Sequence, residues 1–99
     1  MQKKSISVVM SIYNEENTIY RSVNALDKYL LNNFKKYEII IVDDCSIDNT
    51  PKIADQLVKK LKNVFVIHRD FRGGYGSGLR EGYKIAKYDL VWYMDADSP

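Results

Sequence analysis

The run Tyr37-Glu38-Ile39-Ile40-Ile41-Val42-Asp43 is the strongest strand pattern in the chain. Its apolar residues follow one another without alternation, which is typical of a central strand covered on both faces of a parallel sheet. The run leads into a pair of carboxylates, Asp43 and Asp44. Parallel neighbouring strands need crossover connections, which are usually helices, so a helix is expected before and after this strand in the sequence.

The rest of the chain supplies those elements. Apolar runs predict further strands at residues 6–13, 64–68 and 90–94, and stripes at helical spacing predict three helices between them. The first helix is expected from about residue 16 to about residue 33, with Glu15 and Glu16 at the positive end of its dipole. The second helix carries Ile53, Leu57, Val58 and Leu61, and the third carries Leu79, Gly82, Tyr83 and Ala86 on one face. The order β-α-β-α-β-α-β predicts an α/β fold, a Rossmann-like and mostly parallel sheet of about four strands flanked by helices.

Composition limits the classes of protein. With 99 residues, 45% of them hydrophobic, the chain can form one domain with a modest core. The net charge of +2, from 15 basic and 13 acidic residues, is too balanced to indicate nucleic-acid binding. The single Cys45 cannot form an internal disulfide, so a cytoplasmic setting is expected. No run approaches the roughly 20 apolar residues of a membrane span, although a membrane association through sequence after residue 99 stays open.

Two closely spaced acids, Asp95 and Asp97, follow the last predicted strand. Neighbouring carboxylates repel each other, and a divalent cation offsets that cost. Mg²⁺ is usually held by one or two carboxylates together with waters and substrate phosphates. The pair therefore predicts a metal site, and the alternative is a solvated loop after a strand.

Other polar groups are expected at the same edge, because ligands of open parallel sheets bind at the carboxyl ends of the strands. Asp43 and Asp44 could accept hydrogen bonds from a nucleotide or cap the next helix. Tyr13 could stack on a base or close the core.

Four of the five glycines lie between residues 73 and 78, directly before the third helix. This stretch is not a Walker motif, and Gly76-x-Gly78 is only weakly like a dinucleotide fingerprint. It could present backbone N–H groups to an anion, with Arg69, Arg72 and Arg80 nearby in sequence. A flexible loop with solvated arginines is the alternative.

Four motifs together resemble the family 2 glycosyltransferases of GT-A fold, which include the dolichol- and polyprenyl-phosphate sugar synthases. They are Ser7-Val8-Val9-Met10-Ser11-Ile12-Tyr13-Asn14-Glu15-Glu16, Asp43-Asp44-Cys45-Ser46-Ile47-Asp48-Asn49-Thr50, Gly74-Tyr75-Gly76-Ser77-Gly78-Leu79-Arg80-Glu81-Gly82 and Met94-Asp95-Ala96-Asp97. They occur in the family's order and span nearly the whole chain. Ser11, Cys45 and Arg80 depart from residues common in the family.

The resemblance implies a glycosyltransferase that moves a sugar from a UDP- or GDP-sugar to an acceptor hydroxyl, on a saccharide for example, or to a polyprenyl phosphate. It implies that Asp95 and Asp97 form the DxD motif that holds Mg²⁺ or Mn²⁺. The implied donor-binding residues are Ser11, Tyr13, Glu15, Asp43, Asp44, Arg72, Gly76 and Asp95. Residues 1–99 would be the nucleotide-sugar-binding part of the catalytic domain, cut after the DxD motif, with the catalytic base beyond residue 99 and little turnover in this chain alone.

Two other functions are compatible with an α/β sheet that carries acids at its edge. A receiver-type, Mg²⁺-binding signalling module would need acids after the first strand, where the chain has Tyr13 and Asn14, and an aspartate after the third strand, where it has His68. An inactive α/β fragment is the second alternative.

Overall fold

The computed structural model describes residues 3–96. Seven elements alternate along the chain in the predicted order. They are β1 (Ser5–Ile12), α1 (Ile19–Asn33), β2 (Lys36–Asp43), α2 (Thr50–Lys60), β3 (Val64–His68), α3 (Tyr75–Ile85) and β4 (Leu90–Met94). None of the helices within residues 3–96 is long and apolar enough to cross a bilayer.

The strands form one parallel sheet in the order β3-β2-β1-β4, with Ile12 of β1 opposite Asp43 of β2. The chain therefore moves outward from β1 to β3 and then crosses back to place β4 on the other side of β1. The order reverses beside β1, and this is where open α/β sheets bind ligands. The α/β, Rossmann-like prediction is confirmed.

Side chains of the two central strands alternate between two apolar layers. On one face, Val8 and Met10 of β1 and Ile39 and Ile41 of β2 pack with α1 and α2 in the larger core. On the other face, Val9 of β1 and Ile40 and Val42 of β2 form a smaller cluster with Leu79 of α3. Burial on both faces explains why these strands are apolar without alternation.

Helix α3 lies directly against the sheet because two of its glycines face β1. A Cβ on Gly78 would overlap the Ser11 side chain, and one on Gly82 would overlap Val9. Residues four apart lie on one face of a helix, so Gly78 and Gly82 form a flat surface that lets the helix backbone approach the strand.

Two predictions about the helices are wrong. Helix α1 begins at Ile19, not near residue 16, and has no acid in its first turn. The Glu16 carboxylate instead accepts a hydrogen bond from Asn49 N–H at 2.9 Å, which holds residue 16 against the loop after β2. Tyr83 is exposed and does not share the buried face of α3, because one residue along a helix rotates a side chain by about 100° from Gly82.

Candidate functional site

A cavity of about 280 Å³ opens at the carboxyl edge of the sheet, where β1, β2 and β4 end. Its walls come from the loops after these strands and from the glycine-rich segment before α3. The lining residues are Ser11, Ile12, Tyr13, Glu15, Asp44, Arg72, Tyr75, Asp95 and Ala96. Six of the eight predicted donor-binding residues therefore lie around one cavity.

Asp44 is the most highly connected side chain of the cavity and is only 2% exposed. Its Oδ1 accepts hydrogen bonds from Gly73 N–H at 2.9 Å and from Arg69 Nη1 at 3.0 Å. Its Oδ2 accepts one from Gly74 N–H at 2.8 Å. Burial alone would favour the neutral acid, but these two N–H donors and the guanidinium groups of Arg69 and Arg72 outweigh it and lower the pKa of Asp44. The carboxylate is therefore ionised at neutral pH.

Arg69 braces the segment between β3 and α3. Its side chain is 8% exposed and contacts Asp44, the Ser77 hydroxyl at 2.7 Å and the Glu81 carboxylate at 3.0 Å. With these partners the guanidinium is neither a solvated surface group nor a free ligand for an anion. Together with the two Asp44–glycine bonds, it fixes the glycine-rich segment, where Gly74 has a φ of +94° that disfavours other residues.

Arg72 and Tyr13 both line the cavity and are stacked on each other. The guanidinium carbon of Arg72 lies 3.6 Å from the centre of the Tyr13 ring, in a cation–π arrangement. The Nε atom of Arg72 lies 3.4 Å from Asp44 Oδ2. The Arg72 side chain is 54% exposed, so it covers the ring from the solvent side.

The loop after β1 is fixed by bonds to the loop after β2 and to the first residue of α2. Asn14, with a φ of +52°, donates its N–H to the Ser46 hydroxyl at 3.0 Å, and Glu15 donates its N–H to Thr50 Oγ1 at 2.8 Å. These contacts set the backbone that carries Tyr13 and Glu15. The side chains therefore stand on a defined loop.

Ser11 forms part of the cavity floor and is 5% exposed. Its Oγ has no hydrogen-bond partner within residues 3–96. An unpaired hydroxyl next to a cavity is a costly arrangement unless a ligand or solvent satisfies it. The Oγ itself is buried against Gly78 of α3, so it reaches a molecule in the cavity only after its rotamer changes.

Asp95 follows β4 and points into the cavity opposite Tyr75 of α3. The hydrogen bond between the Tyr75 hydroxyl and the Asp95 carboxylate, together with partial burial, raises the pKa of Tyr75 to about 12. The hydroxyl of Ser22 on α1 donates to the carbonyl of Ala96, which ties the loop after β4 to the neighbouring helix. Asp97, the second predicted metal ligand, lies outside the described residues. Within residues 3–96, no three His, Cys, Asp or Glu side chains come together in a metal-binding group.

Two predicted donor-binding residues do not line this cavity. Asp43 shares its sheet face with Ile41 and points toward α2, where its carboxylate pairs with His68 Nδ1 at 2.9 Å. His68 Nε2 in turn contacts Asp55 at 2.7 Å. Burial works against protonation of His68, but its hydrogen bonds to Asp55 and Asp43 prevail and raise its pKa. Asp43 thus links β2, β3 and α2.

Gly76 is the second predicted donor-binding residue that does not line the cavity. It lines a separate surface cleft of α3 and β4 with Leu79, Arg80 and Tyr83. A Cβ at Gly76 would meet only Arg80, at 3.6 Å. This glycine therefore neither faces the cavity nor permits a close approach.

Sequence reasoning missed the cavity role of Tyr75 and the bracing role of Arg69. Tyr75 was visible as the one large residue among the glycines, directly before a predicted helix, and such a position faces the carboxyl edge of the sheet. Arg69 gave no comparable signal, because its partner Asp44 is 25 positions away in sequence.

The comparisons with known proteins agree with this arrangement of motifs. The model of the family described as "Glycosyl transferase family 2" matches residues 7–98. The poly(ribitol-phosphate) beta-glucosyltransferase of Bacillus spizizenii is 38% identical over 93 residues, which are 93% of this chain and 14% of the relative. The poly-beta-1,6-N-acetyl-D-glucosamine synthase of Staphylococcus aureus is 34% identical over 95 residues, which are 96% of this chain and 22% of the relative.

Solved structures show the same fold. TarS 1–349 from S. aureus in complex with UDP superposes with a TM-score of 0.79 at 33% identity, covering 98% of this chain and 28% of TarS. The mannosyltransferase PcManGT of Pyrobaculum calidifontis, in complex with GDP-Man and Mn²⁺, gives a TM-score of 0.83 at 22% identity over 98% of this chain and 28% of its own. The chain thus spans under a third of the length of each of these relatives, and the match favours neither a receiver-type module nor an unrelated α/β fragment. Because the family model matches almost every residue, the chain belongs to glycosyl transferase family 2.

Proposed function

We propose that this chain binds a nucleotide-diphosphate sugar in the cavity, with a divalent metal, as the donor-binding part of a glycosyltransferase. The observation that carries the proposal is the meeting of an aromatic face, an ionised buried acceptor, an unpaired hydroxyl and an exposed carboxylate around one cavity. These groups belong to Tyr13, Asp44, Ser11 and Asp95. They match, in order, a base, its N–H or ribose donors, a polar ligand atom and a metal-bound diphosphate.

The nucleoside end of the donor is assigned to the side of the cavity formed by Tyr13, Glu15 and Asp44. A base gains stacking energy on an aromatic ring regardless of its identity, about 1–3 kcal/mol per base where this has been measured. Asp44 can only accept hydrogen bonds while ionised, so it selects donors such as ring N–H groups or ribose hydroxyls. A rotamer change would bring the unpaired Oγ of Ser11 from Gly78 to the same ligand.

The diphosphate end is assigned to Asp95, together with Asp97. The residues present fit a divalent cation: Asp95 is exposed to the cavity, its oxygens suit Mg²⁺ or Mn²⁺, and such ions often need only one or two protein carboxylates beside substrate phosphates. A bound divalent ion would neutralise negative charge on the departing nucleotide diphosphate. Tyr75 lines the same part of the cavity as Asp95.

The donor class is supported by the relatives, since TarS structures contain UDP or UDP-GlcNAc. The proposed reaction is transfer of the sugar to an acceptor hydroxyl, for example of a saccharide, or to a polyprenyl phosphate. We place this reaction in the cytoplasm or at the cytoplasmic face of a membrane.

Calorimetric titration of UDP and GDP, with and without Mn²⁺, tests the proposal. The parent is expected to bind at least one of them more tightly with Mn²⁺, and Asp95→Asn and Asp97→Asn should each remove most of that Mn²⁺ effect. Asp89→Asn is the matched control, because Asp89 is exposed at the amino end of β4, away from the cavity. Equal Mn²⁺ effects in the parent, Asp95→Asn and Asp97→Asn, with the fold intact by circular dichroism, would contradict the metal assignment.

A further inference from the structure

The contact between Arg72 and Tyr13 leaves no room for a base on that face of the ring. The guanidinium carbon is 3.6 Å from the ring centre, which is the separation of two stacked planar groups. A base inserted between them would need roughly twice that spacing. Any molecule that stacks on this face of Tyr13 must therefore move Arg72.

Arg72 also occupies the remaining acceptor position of Asp44. A carboxylate offers about four lone-pair directions, two on each oxygen. On Asp44, Oδ1 already receives Gly73 N–H and Arg69, and Oδ2 receives Gly74 N–H. The fourth direction, on Oδ2, faces Arg72 Nε at 3.4 Å. An incoming donor group can be accepted there once Arg72 has left.

The planar guanidinium of Arg72 thus stacks on Tyr13 and directs its Nε–H at Asp44. Uracil and guanine share this combination, because each is flat and carries a ring N–H donor. We propose, on the basis of the proposed function, that Arg72 occupies the nucleobase position and that a base with a ring N–H binds by displacing it. Arg72 is then an inhibitory contact that the donor must break.

The displacement needs only the side chain to move. The Arg72 side chain is 54% exposed, and its contact with Asp44 is longer than the three hydrogen bonds that hold Gly73, Gly74 and Arg69. Those three bonds keep the backbone after Arg72 in place when the guanidinium leaves. Rotamer changes of exposed side chains take picoseconds to nanoseconds, so the exchange adds no slow step.

Nucleosides separate this inference from the rest of donor binding, because they contain the base without phosphate. NMR chemical-shift titrations with uridine and guanosine would compare the parent with Arg72→Ala, Arg72→Lys and the control Arg21→Ala, an exposed arginine of α1. Removing Arg72 is expected to tighten binding of the better nucleoside by about three- to tenfold, the range of an exposed cation–π contact plus a weak ion pair. The lysine variant, which cannot stack as a plane, should fall between the two, and Arg21→Ala should match the parent.

The Arg72 Nε–H signal gives a direct readout in the parent. It should start shifted by the ring current of Tyr13 and move toward the position of a free arginine as nucleoside is added. Cytidine, whose ring N3 accepts instead of donating, should bind Arg72→Ala more weakly than uridine does, and equal binding would overturn the assigned role of Asp44.

The inference is overturned if the parent binds UDP or GDP but Arg72→Ala binds nucleosides equally or more weakly. Weaker binding would mean that Arg72 holds the base instead of standing in its place. Failure of the parent to bind UDP or GDP under any metal condition would instead refute the proposed function, and the inference would fall with it.

Discussion

Replacing Asp44 by asparagine removes the charge that joins the glycine-rich segment to the end of β2. The substitution leaves one acceptor oxygen for Gly73, Gly74 and Arg69, and it brings an NH₂ group against remaining donors. Breaking a buried ion pair by removing one partner costs about 3–5 kcal/mol. Because Arg69 keeps its contact with Glu81, we expect the free energy of unfolding to fall by about 3 kcal/mol, the lower end of that range.

The measurement is urea unfolding at pH 7, followed by far-UV circular dichroism, for the parent, Asp44→Asn and Asp70→Asn. Asp70 is an exposed aspartate of the same segment, so its substitution should change the free energy of unfolding by less than about 0.5 kcal/mol. A domain of this size is typically stable by about 5–15 kcal/mol, so the Asp44 variant should still fold. Equal unfolding free energies for the two variants would refute the bracing role of Asp44.

The effect should also depend on pH in a defined direction. The pKa of Asp44 is lowered in the folded state relative to its ordinary value of 3.8. Its contribution to stability is therefore present above about 3.8 and is lost as the pH falls through the lower folded pKa. The difference between the parent and Asp44→Asn should shrink at strongly acid pH, and a difference that grew there would contradict the assigned ionisation state.

Two further predictions concern packing and a histidine. Gly78→Ala should lower the free energy of unfolding by about 1–3 kcal/mol relative to Gly76→Ala. Both variants gain the helix propensity of alanine, but only the new Cβ at position 78 overlaps Ser11. Equal thermal midpoints of the two variants would contradict the tight contact. His68 has a raised pKa, so its stabilising effect is present below about 6.5 and is lost as the pH rises through the folded pKa. Between pH 6 and 8 the free energy of unfolding should fall more for the parent than for His68→Gln. The difference should be less than about 1 kcal/mol, because Asp55 is exposed. Parallel pH profiles of the two proteins would count against the pairing of His68 with Asp43 and Asp55.

The sheet was predictable because burial on both faces leaves continuous apolar runs. The strands at residues 64–68 and 90–94 have the predicted bounds. The start of α1 was predicted too early, and Glu16, expected at that start, instead bonds to the distant Asn49. Local patterns carry no information about such pairings between loops.

The sequence predicted which edge of the sheet carries the site, but not which side chains at that edge face the cavity. Tyr13, Glu15, Asp44 and Asp95 reach the cavity as expected from their places after strands. Asp43 does not, because neighbouring strand residues point to opposite faces and its face is that of α2. An acidic pair at a strand end does not reveal which member turns toward the ligand.

The glycine contact between α3 and β1 has a consequence for how the site can adapt. The Ser11 and Val9 side chains sit in the hollows left at Gly78 and Gly82, so a shift of the helix along the strand would bring other helix residues against them. If the cavity binds a sugar donor as proposed, adjustment to sugars of different size is then expected in the loops above this helix–strand pair. Variation among donors in related proteins should accordingly be sought in the cavity rim, while the helix spacing stays constant.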